Sequence, residues 1–222
     1  MGSFRLFTMC SVHWALLFDP ELLHGTDLER RMTTYTYFSY NTSEALLMTD
    51  EQRQTIVTLM EEIRCETAHA ADGHSRPILV FRIGLILEYV ARFYALQLAT
   101  PTAASADLLT RFENLLTRYY RDGLQLQHGL PTVRYCAQEL FLSPNYFGDL
   151  IRQLTGDTAT GIIRRFVMQR AQELLAGGIP ITETAEQLGF GYPQHFTRLF
   201  KTYYGATPTE FLKKRHQKSA SI

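Results

Sequence analysis

Val133-Arg-Tyr-Cys-Ala-Gln-Glu-Leu140 and Ile181-Thr-Glu-Thr-Ala-Glu-Gln-Leu188 place apolar residues at the same positions, and each is followed by a second matching stretch. Val133 aligns with Ile181, Ala137 with Ala185, Leu140 with Leu188 and Leu142 with Phe190. One extra residue in the second copy then brings Phe147 onto Phe196, Leu150 onto Leu199 and Gly156 onto Gly205. Repetition at this period marks a duplicated supersecondary unit. A small residue at the centre of each first helix, Ala137 or Ala185, lets a second helix cross closely, which is the packing of a helix-turn-helix. Ser143-Pro144 offers an N-cap hydroxyl followed by proline at the first helical position. Gly189 and Gly191 flank Phe190, where the second turn is expected to need unusual backbone angles. The second helices should turn Phe147, Leu150, Ile151 and Leu154 inward in one copy, and Phe196, Leu199, Phe200 and Tyr203 inward in the other.

The run Ile181-Thr-Glu-Thr-Ala-Glu-Gln-Leu-Gly-Phe190, then Tyr192-Pro-Gln-His-Phe-Thr-Arg-Leu-Phe-Lys201 and Gly205-Ala-Thr-Pro-Thr-Glu-Phe211, resembles the signature of AraC/XylS-type bacterial transcription regulators. The resemblance covers roughly Ala106 to His216. It implies a mainly α fold in which two helix-turn-helix units, about 132–155 and 181–204, are joined by a linker helix at about Thr160 to Ala176. Val167 departs from the arginine common at its place in the linker helix, and Pro193 and His195 stand where small polar residues are commoner. The function implied is a sequence-specific transcription regulator, with double-stranded DNA and RNA polymerase as partners; the sign of regulation is not legible in the sequence. No cofactor is expected, and no residue identifies a small-molecule effector.

Net charge is zero over 222 residues, yet it is unevenly placed. From Leu124 onward eleven lysines and arginines stand against seven acids, a net +4, which leaves −4 before it; all lysines lie in the later part. A duplex presents a phosphate charge every 1.7 Å or so, so the basic part is attracted to it and the acidic part is not. Cys10, Cys65 and Cys136 are scattered and odd in number, the pattern of ordinary thiols in a reducing cytoplasm. Arg5 and His13 interrupt the apolar N-terminus, and Arg82, Glu88 and Arg92 interrupt Ile78 to Leu98, so neither a signal peptide nor a membrane span is expected. The chain should be soluble and cytoplasmic.

Before the basic part, Phe4 to Phe18 reads as one or two strands. Asp19-Pro-Glu-Leu-Leu23 resembles the end of a cupin-like sensor barrel, most of which is expected to be absent, so residues 1–48 read as a short β remnant. Thr49-Asp-Glu-Gln52 has the form of a capping box, with Ile56, Leu59, Met60 and Ile63 following at helical spacing. Ala70 to Pro77 makes a turn into a second helix, about Ile78 to Leu98, so that 49–100 forms a helical hairpin. Leu79, Ile83, Ile86, Val90 and Phe93 are spaced 4, 3, 4, 3, a coiled-coil seam. Phe81, Leu85, Tyr89 and Leu96 form a second apolar set. The seam is the expected homodimer contact; burial of both faces within one subunit is the other reading. Ala99 to Ser105 reads as a linker to the DNA-binding domain, 101–222.

Subtracting inward positions leaves Asn145, Tyr146, Asp149 and Arg152 outward on the first recognition helix. Gln194, His195, Thr197, Arg198 and Lys201 are left outward on the second. Asparagine and glutamine suit adenine, and arginine or lysine suit guanine. Arg152 and Lys201 are alternatively phosphate contacts, as are Arg164 and Arg165 near the linker-helix start, although each could be a solvated surface residue. Asp149 faces the backbone unfavourably, so the second unit should bind more strongly. Thr207-Pro-Thr-Glu210 reads as a structural capping box that fixes Phe211 in the core. No histidine pair, acidic doublet or glycine-rich phosphate loop supports catalysis. A repair alkyltransferase would need a four-cysteine zinc cluster that three cysteines cannot make. A partner-binding adaptor without DNA affinity is the remaining alternative.

Overall fold

The structure, a computed structural model, describes residues 7–9, 13–100 and 103–219. The chain falls into two compact units, Met1–Thr100 and Pro101–Ile222.

The first unit opens with two three-residue strands, β1 (Phe7–Met9) and β2 (His13–Ala15), paired antiparallel with Thr8 opposite Trp14. The carboxylate of Asp19 then accepts the Glu21 amide at 2.9 Å and caps a 3-10 turn, Pro20–Leu23, that drives Leu22 and Leu23 into the core. Helix α1 (Asp27–Arg31) and three further 3-10 turns lead to α2 (Asp50–Ala68) and α3 (Ser75–Ala99). The capping box at the start of α2 forms as its sequence predicts: Thr49 Oγ1 accepts the Gln52 amide at 3.2 Å, and Gln52 Oε1 accepts the Thr49 amide at 3.0 Å. Helix α3 begins three residues before Ile78, because proline at position 77 still lies in the first turn, where no intrahelical donor is required. The Asp72 carboxylate accepts the His74 and Ser75 amides there, at 2.8 and 2.9 Å.

The seam of α3 is internal, which corrects the expected dimer contact. Leu79, Ile83, Ile86 and Phe93 are buried and Val90 is half-buried, all in one core with Ile56, Leu59 and Ile63 of α2. The short segments cover the rest of it, through Leu22, Leu23, Leu28 and Tyr35. Tyr35 donates to Glu88 Oε1 at 2.7 Å, and burial together with that bond pushes its phenol up to about 12. Of the second apolar set, Phe81 is 79% exposed and Leu85 and Leu96 are also exposed, while Tyr89 is half-buried against the core.

The second unit consists of α4 (Ala103–Arg121), α5 (Leu124–His128), α6 (Val133–Glu139), α7 (Pro144–Thr155), α8 (Ala159–Ala176), α9 (Ile181–Gln187), α10 (Pro193–Tyr204) and α11 (Pro208–Ser219). Ala103 to Ser105, expected in the linker, begin α4 instead. Helices α6 and α9 have seven residues each and α7 and α10 twelve each, so the extra residue of the second copy falls in its turn. The two turns are built alike. Leu142 and Phe190 amides donate back to Ala137 and Ala185 carbonyls, both at 2.9 Å, closing a Schellman motif that needs one left-handed residue. Gly189 supplies it in the second turn, with φ +87°, while Gly191 lies outside the left-handed region, contrary to expectation.

In the first turn that residue is Phe141, at φ 62° and 84% exposed. A non-glycine residue there carries about 1–2 kcal/mol of strain. Phe141→Gly removes the strain and little packing, at the cost of a more flexible unfolded chain. The expected result is a gain of up to about 1 kcal/mol in urea denaturation. A loss of stability would show that contacts hold the ring.

Both second helices end on left-handed glycines, Gly156 and Gly205, whose amides donate to Arg152 and Lys201 carbonyls at 2.9 and 2.8 Å. Phe147, Ile151, Phe196 and Phe200 are fully buried. Tyr203, expected inward, is exposed; Tyr204 takes the core position one turn after Phe200 and donates to the Met168 carbonyl at 3.1 Å. The Thr207–Glu210 capping box forms, and Phe211 packs on Phe200 with ring centroids 5.5 Å apart.

Candidate nucleic-acid interface

Ser143 caps α7 by accepting the Tyr146 amide at 3.3 Å, and proline occupies the first turn of both α7 and α10. These caps set which residues of each helix face outward. On α7, Asn145 and Arg152 are exposed, and Tyr146 and Asp149 half-buried. On α10, Gln194, His195, Arg198 and Lys201 are exposed and Thr197 is half-buried. The two faces correspond position by position: Asn145 with Gln194, Tyr146 with His195, Asp149 with Arg198, Arg152 with Lys201. Arg152 and Lys201 also lie in the last turns, where the helix dipole favours a cation. The halves differ most at Asp149 and Arg198, an acid against a base.

The linker helix α8 is capped by Thr158 Oγ1, which accepts the Gly161 amide at 3.0 Å, and buries Ile163, Val167, Met168, Ala171 and Leu175. The aliphatic Val167, rather than an arginine, suits this dry position. Arg164 and Arg165 are exposed on the first turns of α8. Arg165 is bonded to Asp157, so a phosphate would have to compete with that carboxylate.

What holds the two halves together was not legible as a motif. Phe112 of α4 meets Phe147 of α7 edge-on, at 5.0 Å between ring centroids. Two helical turns further on, Tyr120 donates to the Leu188 carbonyl at 3.2 Å, and Gln125 of α5 donates to the Gln187 carbonyl at 3.2 Å. One helix pair thus touches both units, and the Arg170 guanidinium of α8 sits 5.0 Å from the Tyr120 ring centre. Burial, against a smaller opposing effect of Arg170, raises the Tyr120 phenol well above its ordinary range. It therefore stays a neutral donor. The carbonyls that Tyr120 and Gln125 bond are backbone atoms that leave no trace in side-chain pattern.

Cys136 is fully buried, and that burial pushes its thiol up to about 12. Such a thiol is not a nucleophile at neutral pH. Among the described residues no group of histidines, cysteines and acids has the arrangement of a metal site. Among them, too, no helix is long and apolar enough to cross a membrane.

Two matched helix-turn-helix units on one linker helix define a class of protein, the paired helix-turn-helix module. Residues 136–214 match the family described as helix-turn-helix domain. Over 93 residues the chain is 34% identical to the uncharacterized transcriptional regulatory protein YesN of Bacillus subtilis, covering 40% of this chain and 25% of that protein. It is 31% identical over 87 residues to the HTH-type transcriptional regulator GadX of Escherichia coli, covering 39% of this chain and 31% of that protein. A solved DNA-binding transcriptional dual regulator from Escherichia coli K-12 is 30% identical, with a TM-score of 0.36, covering 39% of this chain and 78% of that one. The chain thus spans a quarter to a third of the length of these curated relatives. Its C-terminal unit contains a helix-turn-helix domain.

Proposed function

We propose that the chain is a cytoplasmic, sequence-specific DNA-binding transcription regulator that reads two adjacent major-groove segments with α7 and α10. The observation that carries this is the duplicated unit: equal helices, equal Schellman turns and equal glycine caps on one linker helix. Similarity to named transcription regulators supports it. At 1.5 Å per residue the 18-residue α8 is about 27 Å long, a length suited to recognition helices about one DNA turn, roughly 34 Å, apart. Gln194, His195, Thr197 and Arg198 read bases, Asn145, Tyr146 and Asp149 face the neighbouring segment, and Arg152, Lys201, Arg164 and Arg165 hold phosphate. The chemistry is binding, without catalysis. RNA polymerase is the further partner in this reading.

A footprint over the promoter neighbouring its own gene tests it. Protection is expected over two groove segments on one face of the duplex; a single protected segment, or no salt-dependent binding, would favour the adaptor reading. Arg198→Ala is expected to weaken specific binding by about 1–3 kcal/mol and to relax preference at one base pair. At the equivalent position Asp149→Ala removes an acid instead, and affinity should stay level or rise. A larger loss from Asp149→Ala would assign the dominant contacts to α7.

The reading includes a homodimer, with its contact on the outer face of α3. There the exposed Phe81 stands beside a cleft of about 480 Å³ floored by Gly84 and Leu28. A Cβ at Gly84 would meet Leu28 only at 3.7 Å, so packing within the chain does not demand glycine there. In this reading the Phe81 ring of one subunit enters the hollow of its partner, which Arg31, Arg76, Asp27 and Glu88 line, and the reverse contact follows from the two-fold axis.

A further inference from the structure

A second hollow, of about 640 Å³, lies within the C-terminal unit, between α10, the first half of α8 and the start of α6. Its floor is apolar, with Ile163, Val167 and Phe190. Arg164, Arg198 and His195 stand around it, and among the described residues no aspartate or glutamate lines it. The volume is that of small-molecule sites, which pair an apolar body with a few convergent polar groups. Gly191, at its rim, has no heavy atom within 4 Å of where a Cβ would be, and its backbone lies outside the left-handed region. Neither conformation nor packing therefore requires glycine there. A side chain there would find open space at the edge of the hollow.

We propose that this hollow binds a small apolar carboxylate, its body on Ile163, Val167 and Phe190 and its charge on Arg164 and Arg198. A bare phosphodiester would satisfy the guanidinium groups but leave the apolar floor uncovered, whereas a carboxylate on an apolar skeleton matches both. A guanidinium donates two parallel hydrogen bonds to a carboxylate, and a low-dielectric floor strengthens that pairing. Arg198 and His195 are also the base-reading residues of the function proposed above. On that reading, a bound carboxylate withdraws them from DNA, so ligand and operator compete.

The full chain is titrated calorimetrically with 2-naphthoate and, as the neutral isostere, 2-naphthamide. Saturable one-site binding of naphthoate is expected, with naphthamide at least tenfold weaker. Arg164→Met should bring naphthoate down to the naphthamide level, and Gly191→Leu, which puts a side chain into the mouth, should abolish binding of both while the circular dichroism spectrum is retained. Equal binding of the two probes, no naphthoate binding, or unaltered binding by Gly191→Leu would each overturn the proposal. Saturating naphthoate should also release DNA from the neighbouring promoter; naphthoate bound without loss of DNA affinity would refute the shared use of Arg198. Failure of DNA binding in the absence of naphthoate would instead refute the regulator reading and leave the carboxylate site standing.

Discussion

Ile86→Glu combined with Val90→Glu is expected to unfold the N-terminal unit rather than to yield folded monomers. Ile86 is 3% exposed and packed among Ile83, Phe93 and the α2 side chains, and no cation faces it within that core cluster. An uncompensated carboxylate in such a place costs about 3–5 kcal/mol, and the lost apolar contacts add to it. The sum approaches the 5–15 kcal/mol or so that holds a whole domain together. Loss of amide-exchange protection in α2 and α3 is the readout. Phe81→Glu is the contrast: the residue is 79% exposed, so the fold should be kept, and sedimentation should show dimers converted to monomers. A folded double mutant would return the seam to the surface; dimers that survive Phe81→Glu would remove the outer face of α3 as their contact.

Gly189→Ala is expected to cost about 2–4 kcal/mol, more than the same change at Gly205. Both glycines have left-handed backbones, at φ +87° and +71°, so alanine pays about 1–2 kcal/mol at either. Their surroundings separate them. A Cβ at Gly189 would lie 2.7 Å from the Gln125 carbonyl oxygen and 3.0 Å from the Gly129 carbonyl carbon, whereas at Gly205 it would meet nothing within 4 Å. Backbone cannot swing aside as a flexible side chain can, so α9 must move off α5 and α10 must follow. Denaturant melts of the two variants, followed by probes in α9, measure the difference, and equal losses would show that the close approach of α9 to α5 is not maintained in solution. Because Gln125 and Tyr120 bond the end of α9, the shift should also weaken DNA binding in the proposed function.

The helix-turn-helix pair was legible because local rules carry it. Apolar residues at helical spacing, Ser143 before Pro144, the Thr49 and Thr207 capping boxes and the terminal glycines each act within a few residues, and each appears where its pattern places it. Outward positions on α7 and α10 followed from the same periodicity. Tyr203 was misplaced inward because adjacent tyrosines offer two registers, and only contact with Met168 and Phe211 selects Tyr204. Two glycines within three residues suggest two unusual backbone conformations, but one left-handed residue, Gly189, is enough to close the turn.

Sequence alone determined that the C-terminal part holds two matched helix-turn-helix units, since periodicity, caps and left-handed glycines are properties of short segments. Tertiary structure alone decided which apolar face of α3 is core. Both faces satisfy helical spacing, and the choice rests on Leu22, Leu23, Leu28 and Tyr35, which come from turns and the short helix α1, distant in sequence, and join the seam in one core. It also decided that α4 and α5 grip both halves of the module, because the bonds from Tyr120 and Gln125 end on backbone carbonyls that every sequence possesses and only folding brings within 3.2 Å.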